Sequence, residues 1–330
     1  MCNDTTTPTA TDMVELSGQE RAAMADLVTE LCREYGRADH PGFLRAGASL
    51  GHHLPARLRD QLAALRYLEQ AGALWIRGGP AGEAACPTPE HWRARAADAT
   101  LAHDFWLVLV SAQLGDPFSW ASLQDGSLLN DVIPVRGSEQ VQTGQGSVAP
   151  LELHVEDAFD DDRCDYLGLV ALRNRDDVGT TVAAVRAGCL PPEHQEVLRE
   201  PRFMIRADPE HAAGGRGSAP AARRRAVLFG AADDPYLRVD PAFTEPLPGD
   251  EAAAAAFGAL CAQLAAATAA VPLAAGDVLF IDNYRMVHGR TPFRPRYDGT
   301  DRWLRKVTVT RDLRRSRARR RGADGRVLSL

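Results

Sequence analysis

From about residue 120 onward the chain breaks into short β-rich runs: NDVIPVRG, LELHVED, YLGLVALRN, RAVLFG and DVLFIDN, separated by Gly, Pro, Asp and Asn. Strands that short gain stability only by pairing into sheets whose apolar faces cover one another. Regular spacing with turn residues between them predicts a β-sandwich or barrel. Upstream the texture is helical. Ser17 and Glu20 form a capping box at the start of SGQERAAMADLVTELCREYG, whose Met24, Leu27 and Leu31 share one face and whose closing residue is Gly36. PARLRDQLAALRYLEQAG reads as a second helix, ALWIRG as a short strand, and the largely apolar DATLAHDFWLVLVSAQLGDP as a third, buried helix. PPEHQEVLREP and an Ala-rich stretch over 251–270 read as helices interrupting the β region. The expected class is therefore mixed α+β, in one domain spanning 1–330.

At 330 residues, with 45% hydrophobic and 25% charged residues, the chain is long enough to bury a sizeable core. No stretch approaches the roughly 20 consecutive apolar residues of a membrane span. The polar, Thr-rich start has no basic segment followed by an apolar run, so residues 1–15 read as a loose tail rather than a secretory leader. The six cysteines are scattered without a C-x-x-C pair, the pattern of a reduced cytoplasmic protein. A net charge of −6 argues against general nucleic-acid binding. Seven arginines lie between Arg311 and Arg321, and the segment 313–330 is expected to be a solvated, frayed basic tail. RADPEHAAGGRGSAPAARRR, residues 206–225, lacks periodicity and reads as a mobile loop, either a lid or a disordered insert.

The chemistry is carried by LELHVEDAF, in which His154 and Glu156 stand two apart in a strand and should project to one face. Alone, H-x-E is also what a packed histidine beside a surface glutamate looks like. A third candidate, His288, follows the strand VLFIDN far along the chain. Two histidines and a carboxylate on one face of a metal leave open positions, the arrangement of non-haem Fe(II) oxygenases. Arg302 comes fourteen residues after His288, and its planar fork can grip a carboxylate through two parallel bonds.

HVEDAF and GDVLFIDNYRMVHGRTPFRPRYDGTDRWL together resemble the Fe(II)/2-oxoglutarate-dependent oxygenases of the clavaminate synthase-like group, in the taurine dioxygenase superfamily. The resemblance is strongest to the arginine and asparagine β-hydroxylases of peptide-antibiotic pathways. It runs from about 120 to 312, with looser helical similarity upstream. It implies a double-stranded β-helix, or distorted jelly roll, wrapped by helices. It implies Fe(II) held by His154, Glu156 and His288, with 2-oxoglutarate and O2 as co-substrates. It places Arg302 on the far carboxylate of 2-oxoglutarate, helped by a threonine, for which Thr181 is preferred over Thr180. Because Glu156 fills the carboxylate position, hydroxylation at a β or γ carbon is implied rather than halogenation.

For the substrate, a free amino acid such as arginine, the resemblance points to Gln124 at the amino-acid end. It also points to Asp240, with Arg238 expected on the same strand face. Two departures stand out. An arginine hydroxylase would show two acids where this chain has Asp240 and Arg238. The family ending RWLKR is RWLRK here, so Lys306 stands where the family's substrate-carboxylate arginine does. On a strand Arg302, Leu304 and Lys306 share a face and Arg305 points away. Three rival readings remain open at this point: a related oxidase performing desaturation or ring closure, a non-redox cupin-like metal protein, and a binder that acts through the arginine tail. On the oxygenase reading, removing residues 313–330 should change turnover little.

Overall fold

The computed structural model describes residues 11–214 and 221–330. Two sheets face each other. The major sheet runs Thr11–Glu15, Ala73–Arg77, Val278–Asp282, Tyr166–Arg173, Trp303–Thr310, Asp116–Trp120 and Val327–Leu328, with Asn130–Val132 also paired to Trp303–Thr310. The minor sheet runs Ala269–Val271, Thr180–Ala184, Met286–Arg290, Leu151–His154. Pairing is antiparallel except at the two edges of the major sheet, where the chain's beginning and end add parallel strands. This is the double-stranded β-helix with helices outside it.

The central strands of the major sheet are buried on both faces, which is why they read as near-continuous apolar runs. Alternation assigns the faces. Leu167, Leu169, Leu279, Ile281 and Leu304 point between the sheets and pack on Val182 and Met286. Tyr166, Val170, Val278, Phe280, Trp303 and Val307 point outward onto the helices Gly18–Tyr35, Ala56–Tyr67 and Leu101–Ser111. The helices Pro192–Leu198 and Glu251–Ala266 cover the back of the minor sheet. The Ser17–Glu20 capping box and the left-handed Gly36 cap form as expected. No helix among the described residues is long and apolar enough to cross a membrane.

Three expectations are corrected. Thr11–Glu15 is not loose: it pairs with Ala73–Arg77, because an open sheet edge satisfies its backbone and Val14 is buried. Residues 1–10 lie outside the described residues. Within 206–225, Pro209–Gly214 is a helix and Arg223–Arg225 a strand paired to Phe203–Ile205, while 215–220 lie outside the described residues. The basic C-terminal segment is folded rather than frayed. Arg326 pairs with Asp116 at 2.6 Å and Arg319 with Asp160 at 2.7 Å. Arg320 is buried among the carbonyls of Leu313, Ala323 and Gly325. The acids that receive these arginines are remote in sequence, so a local charge count could not reveal them.

Arg305 points away from the inter-sheet space, as alternation requires. It is 2% exposed and lies between Asp104 (2.8 and 3.1 Å) and Asp131 (2.9 Å). Asp131 also accepts the Trp303 indole N–H at 2.8 Å and Arg95 at 3.0 Å. Removing the central cation leaves the buried Asp104 without a cation and Asp131 with Arg95 alone, a loss of about 3–5 kcal/mol. Arg305→Met is therefore expected to lower the unfolding free energy by that amount, read as a lower urea midpoint with the slope of the transition unchanged. A loss under about 1 kcal/mol would show that the acids find other partners.

Candidate active site

His154 ends its strand, and His288 lies directly opposite it on the neighbouring strand. Gly289 follows, where a side chain would collide with the Leu151 carbonyl; its Cβ would lie 2.4 Å away. Glu156 reaches the same space by a different route from the one expected. The strand stops at His154, and Asp157 turns the chain at φ 53°. Glu156 is pinned by the fully buried Asn283, whose Oδ1 accepts the Glu156 N–H (2.8 Å). The Asn283 amide donates in turn to the carbonyls of Glu156 and Cys164 (both 3.0 Å). Convergence of the pair therefore rests on this clamp as well as on strand alternation.

Glu156 Oε1 lies 3.2 Å from His288 Nε2 and 3.9 Å from His154 Nε2, and one ligand atom from each residue falls within 4.8 Å of the others. His154 Nδ1 contacts the Glu152 carbonyl at 2.8 Å, which orients the ring and leaves Nε2 toward the cluster. Burial opposes charge on His154, but the bond to Glu156 and the nearby Asp240 outweigh it and hold the imidazole at about 9. Burial and the His154 charge push His288 down to about 4. Lys306 Nζ holds the other carboxylate oxygen of Glu156 at 3.1 Å. Burial works against the Glu156 charge, yet Lys306 and both histidines keep its carboxyl well below the usual range. This is a donor set fit for a divalent cation: one ionised carboxylate oxygen and two imidazole nitrogens facing one point.

Arg302 lines the cavity, 6% exposed and bonded to Thr180 Oγ1 at 3.0 Å. Its Nε has no partner among the described residues. Burial and the neighbouring Arg290 pull its guanidinium down to about 9, the mark of a buried cation without an anion beside it. Arg290 lies beside it in the cavity wall, but its guanidinium is bonded to the carbonyls of Gly146 and Ala149. Thr181 is corrected to Thr180. In the cross-strand register Thr180 stands opposite Arg290 and Thr181 opposite Gly289, so alternation turns Thr181 away from the cavity.

Asp240, Asp208 and Glu210 line the same cavity. Burial pushes the Asp240 carboxyl up to about 6, against the pull of His154. It accepts the Ala242 N–H and forms no ion pair among the described residues. Arg238 does not share this face: the strand Pro235–Leu237 ends before it, and its guanidinium turns to Asp161 at 3.1 Å. Gln124 does not line the cavity either. Its amide is paired with the backbone N–H and carbonyl of Asp131, both at 2.8 Å, bracing the buried acid behind the sheet. Arg302, Leu304 and Lys306 do line the cavity together, as expected. Sequence reasoning missed Arg290, Asn283, Asp208 and Glu210. Arg290 was open to discovery, since it stands two after His288 on one strand face.

Residues 125–308 match the model of the family described as "Taurine catabolism dioxygenase TauD, TfdA family". The chain is similar to an enduracididine beta-hydroxylase from Streptomyces hygroscopicus, 39% identical over 96% of this chain and 99% of the relative. It is also similar to crystal structures of the non-heme iron oxygenase OrfP. The complex with Fe and alpha-ketoglutaric acid matches with a TM-score of 0.89 and 42% identity, over 96% of this chain and 99% of that one. The complex with Fe, succinate and (3S)-hydroxy-L-Arg matches with a TM-score of 0.90 and 40% identity, over the same shares. The family match spans His154, Glu156, His288 and Arg302, and the relatives extend it over nearly the whole chain: the protein belongs to the TauD/TfdA dioxygenase family.

Proposed function

We propose that the protein is an Fe(II)- and 2-oxoglutarate-dependent hydroxylase of a free amino acid with a cationic side chain, L-arginine first, acting at the β or γ carbon in natural-product biosynthesis. The observation that carries this reading is the polarity of one cavity. A three-residue donor set shares that cavity with a buried arginine that has no anionic partner and a half-buried aspartate that forms no ion pair among the described residues. Enduracididine hydroxylation in one relative and bound hydroxy-arginine in another support the same substrate class.

His154, Glu156 and His288 would hold the iron. With 2-oxoglutarate and dioxygen it supplies the oxidation, in which one oxygen atom enters the product as hydroxyl, the other enters succinate, and carbon dioxide is released. The remaining work belongs to the chain. Lys306 fixes Glu156 by one oxygen and leaves the other toward both histidines. Arg302, with Thr180, receives the distal carboxylate of 2-oxoglutarate in its open fork. Lys306, whose ammonium also lines the cavity, faces the substrate carboxylate as a point charge. Asp240, supported by Asp208, takes the cationic end of the side chain. Fixing both ends of the substrate decides which carbon meets the iron.

Asp240→Asn tests the substrate assignment. It removes the charge and keeps the shape. A hydrogen bond to a charged group contributes about 1.5–3 kcal/mol, so the KM for arginine should rise roughly tenfold or more. The KM for 2-oxoglutarate should stay within about twofold. Citrulline, an uncharged analogue of arginine, should be a poor substrate of the native protein and should lose little further in the variant. An unchanged arginine KM would remove Asp240 from substrate recognition.

A further inference from the structure

Asp157, the residue after Glu156, has a carboxylate enclosed by protein. The Trp120 indole N–H donates to one oxygen at 2.7 Å, and His211 Nε2 meets the other at 2.8 Å. His211 is 1% exposed, and its second nitrogen, Nδ1, meets Ser122 Oγ at 2.8 Å. Its ring packs edge-on against Trp120 (5.5 Å between centroids) and Phe159 (5.0 Å). Asp157, Asp208 and His211 lie close enough to hold a cation. Both ring nitrogens of His211 are already bonded to protein groups, however, so the cluster is a fastening rather than a metal site.

What it fastens is the cavity wall. His211 belongs to the helical turn Pro209–Gly214. Asp208 caps that turn, accepting the N–H groups of Glu210 (2.8 Å) and His211 (3.1 Å). Asp208 and Glu210 line the cavity, and Glu210 is held there by Gln145 at 3.2 Å. Trp120 is also covered by the C-terminal segment, with the Arg319 guanidinium 4.7 Å above its ring. Through one histidine, the turn that brings two acids to the cavity is tied to the residue beside Glu156.

We propose that His211 is a positioning residue: its bond to Asp157 latches the 208–211 turn onto the site and so sets the acidic wall against which the substrate side chain is held. This rests on the function proposed above for its kinetic part, and on geometry alone for its structural part. The test uses the full-length chain and two variants. His211→Phe keeps the ring's bulk and loses both bonds. His211→Gln keeps a donor for Asp157 and an acceptor for Ser122.

Hydrogen–deuterium exchange is read first, without metal or substrate. In His211→Phe the amides of 208–214 should exchange at least roughly tenfold faster while those of Tyr166–Arg173 stay unchanged, since local opening and global unfolding are separable. With iron and 2-oxoglutarate present, the KM for arginine should rise several-fold, the KM for 2-oxoglutarate should hold, and succinate should outrun hydroxylated product. His211→Gln should restore at least half of each effect. Unchanged exchange over 208–214, a rise spread equally over Tyr166–Arg173, or equal changes in both KM values would overturn the latch. Failure of the native chain to hydroxylate any amino acid would instead count against the proposed function, and the exchange result would still decide the latch.

Discussion

Replacing His288 by alanine is expected to reduce iron-dependent turnover by roughly 100-fold or more. Even losing a group that only supports a metal ligand costs about 10–100-fold in affinity or activity, and His288 is proposed as a ligand itself. Its Nε2 faces the Glu156 oxygen that also faces His154, so the variant leaves one imidazole and one carboxylate, too few to define a facial site. The measurement pairs iron content after anaerobic loading with initial rates. Both should fall together. The fold should survive, because the surrounding strand is held by the pairing of Met286–Arg290 with its two neighbours. A variant that keeps its iron and its rate would remove His288 from the ligand set.

Arg302→Ala should raise the KM for 2-oxoglutarate by roughly 100-fold or more, if the guanidinium makes two charge-assisted bonds of about 1.5–3 kcal/mol each. The KM for arginine should move far less. Arg302→Lys should recover only part, since an ammonium is a point charge without the fork. Stability provides a second signature. In the structure Arg302 is a buried cation with one hydroxyl partner, and burial disfavours its charged form. Its folded pKa lies below its unfolded value, so at neutral pH the charge opposes folding, and alanine should leave the melting temperature unchanged or raise it. A residue kept for structure alone would show the reverse: a lower melting temperature with the 2-oxoglutarate KM intact.

What was legible in the sequence was whatever regular local structure governs. The capping box, the central strands and the shared face of Arg302, Leu304 and Lys306 follow from periodicity, because those segments are regular and buried on defined sides. Errors gathered where regularity stops. Thr180 rather than Thr181 faces the cavity because the phase of a strand is set by its partner, and only the register with Arg290 decides it. Arg238 and Gln124 lie beyond strand ends, where alternation no longer predicts direction. The C-terminal arginines looked solvated because their partners, Asp116, Asp160 and Asp165, are more than a hundred residues away. The His211–Asp157 contact is of the same kind. Neither residue belongs to a local pattern, and only the fold brings them within hydrogen-bond distance.

Hydroxylation of a free amino acid at the expense of 2-oxoglutarate leaves two products that can be counted, the hydroxylated amino acid and succinate. The most direct measurement is mass spectrometry of purified protein with Fe(II), 2-oxoglutarate, ascorbate, air and L-arginine, with asparagine, ornithine, lysine and citrulline in parallel. The expected result is gain of one oxygen on arginine, or on another amino acid with a cationic side chain, matched one for one by succinate and dependent on every component. Absence of succinate from iron-loaded protein, or succinate formed without oxygen gain on any of these amino acids, would contradict it.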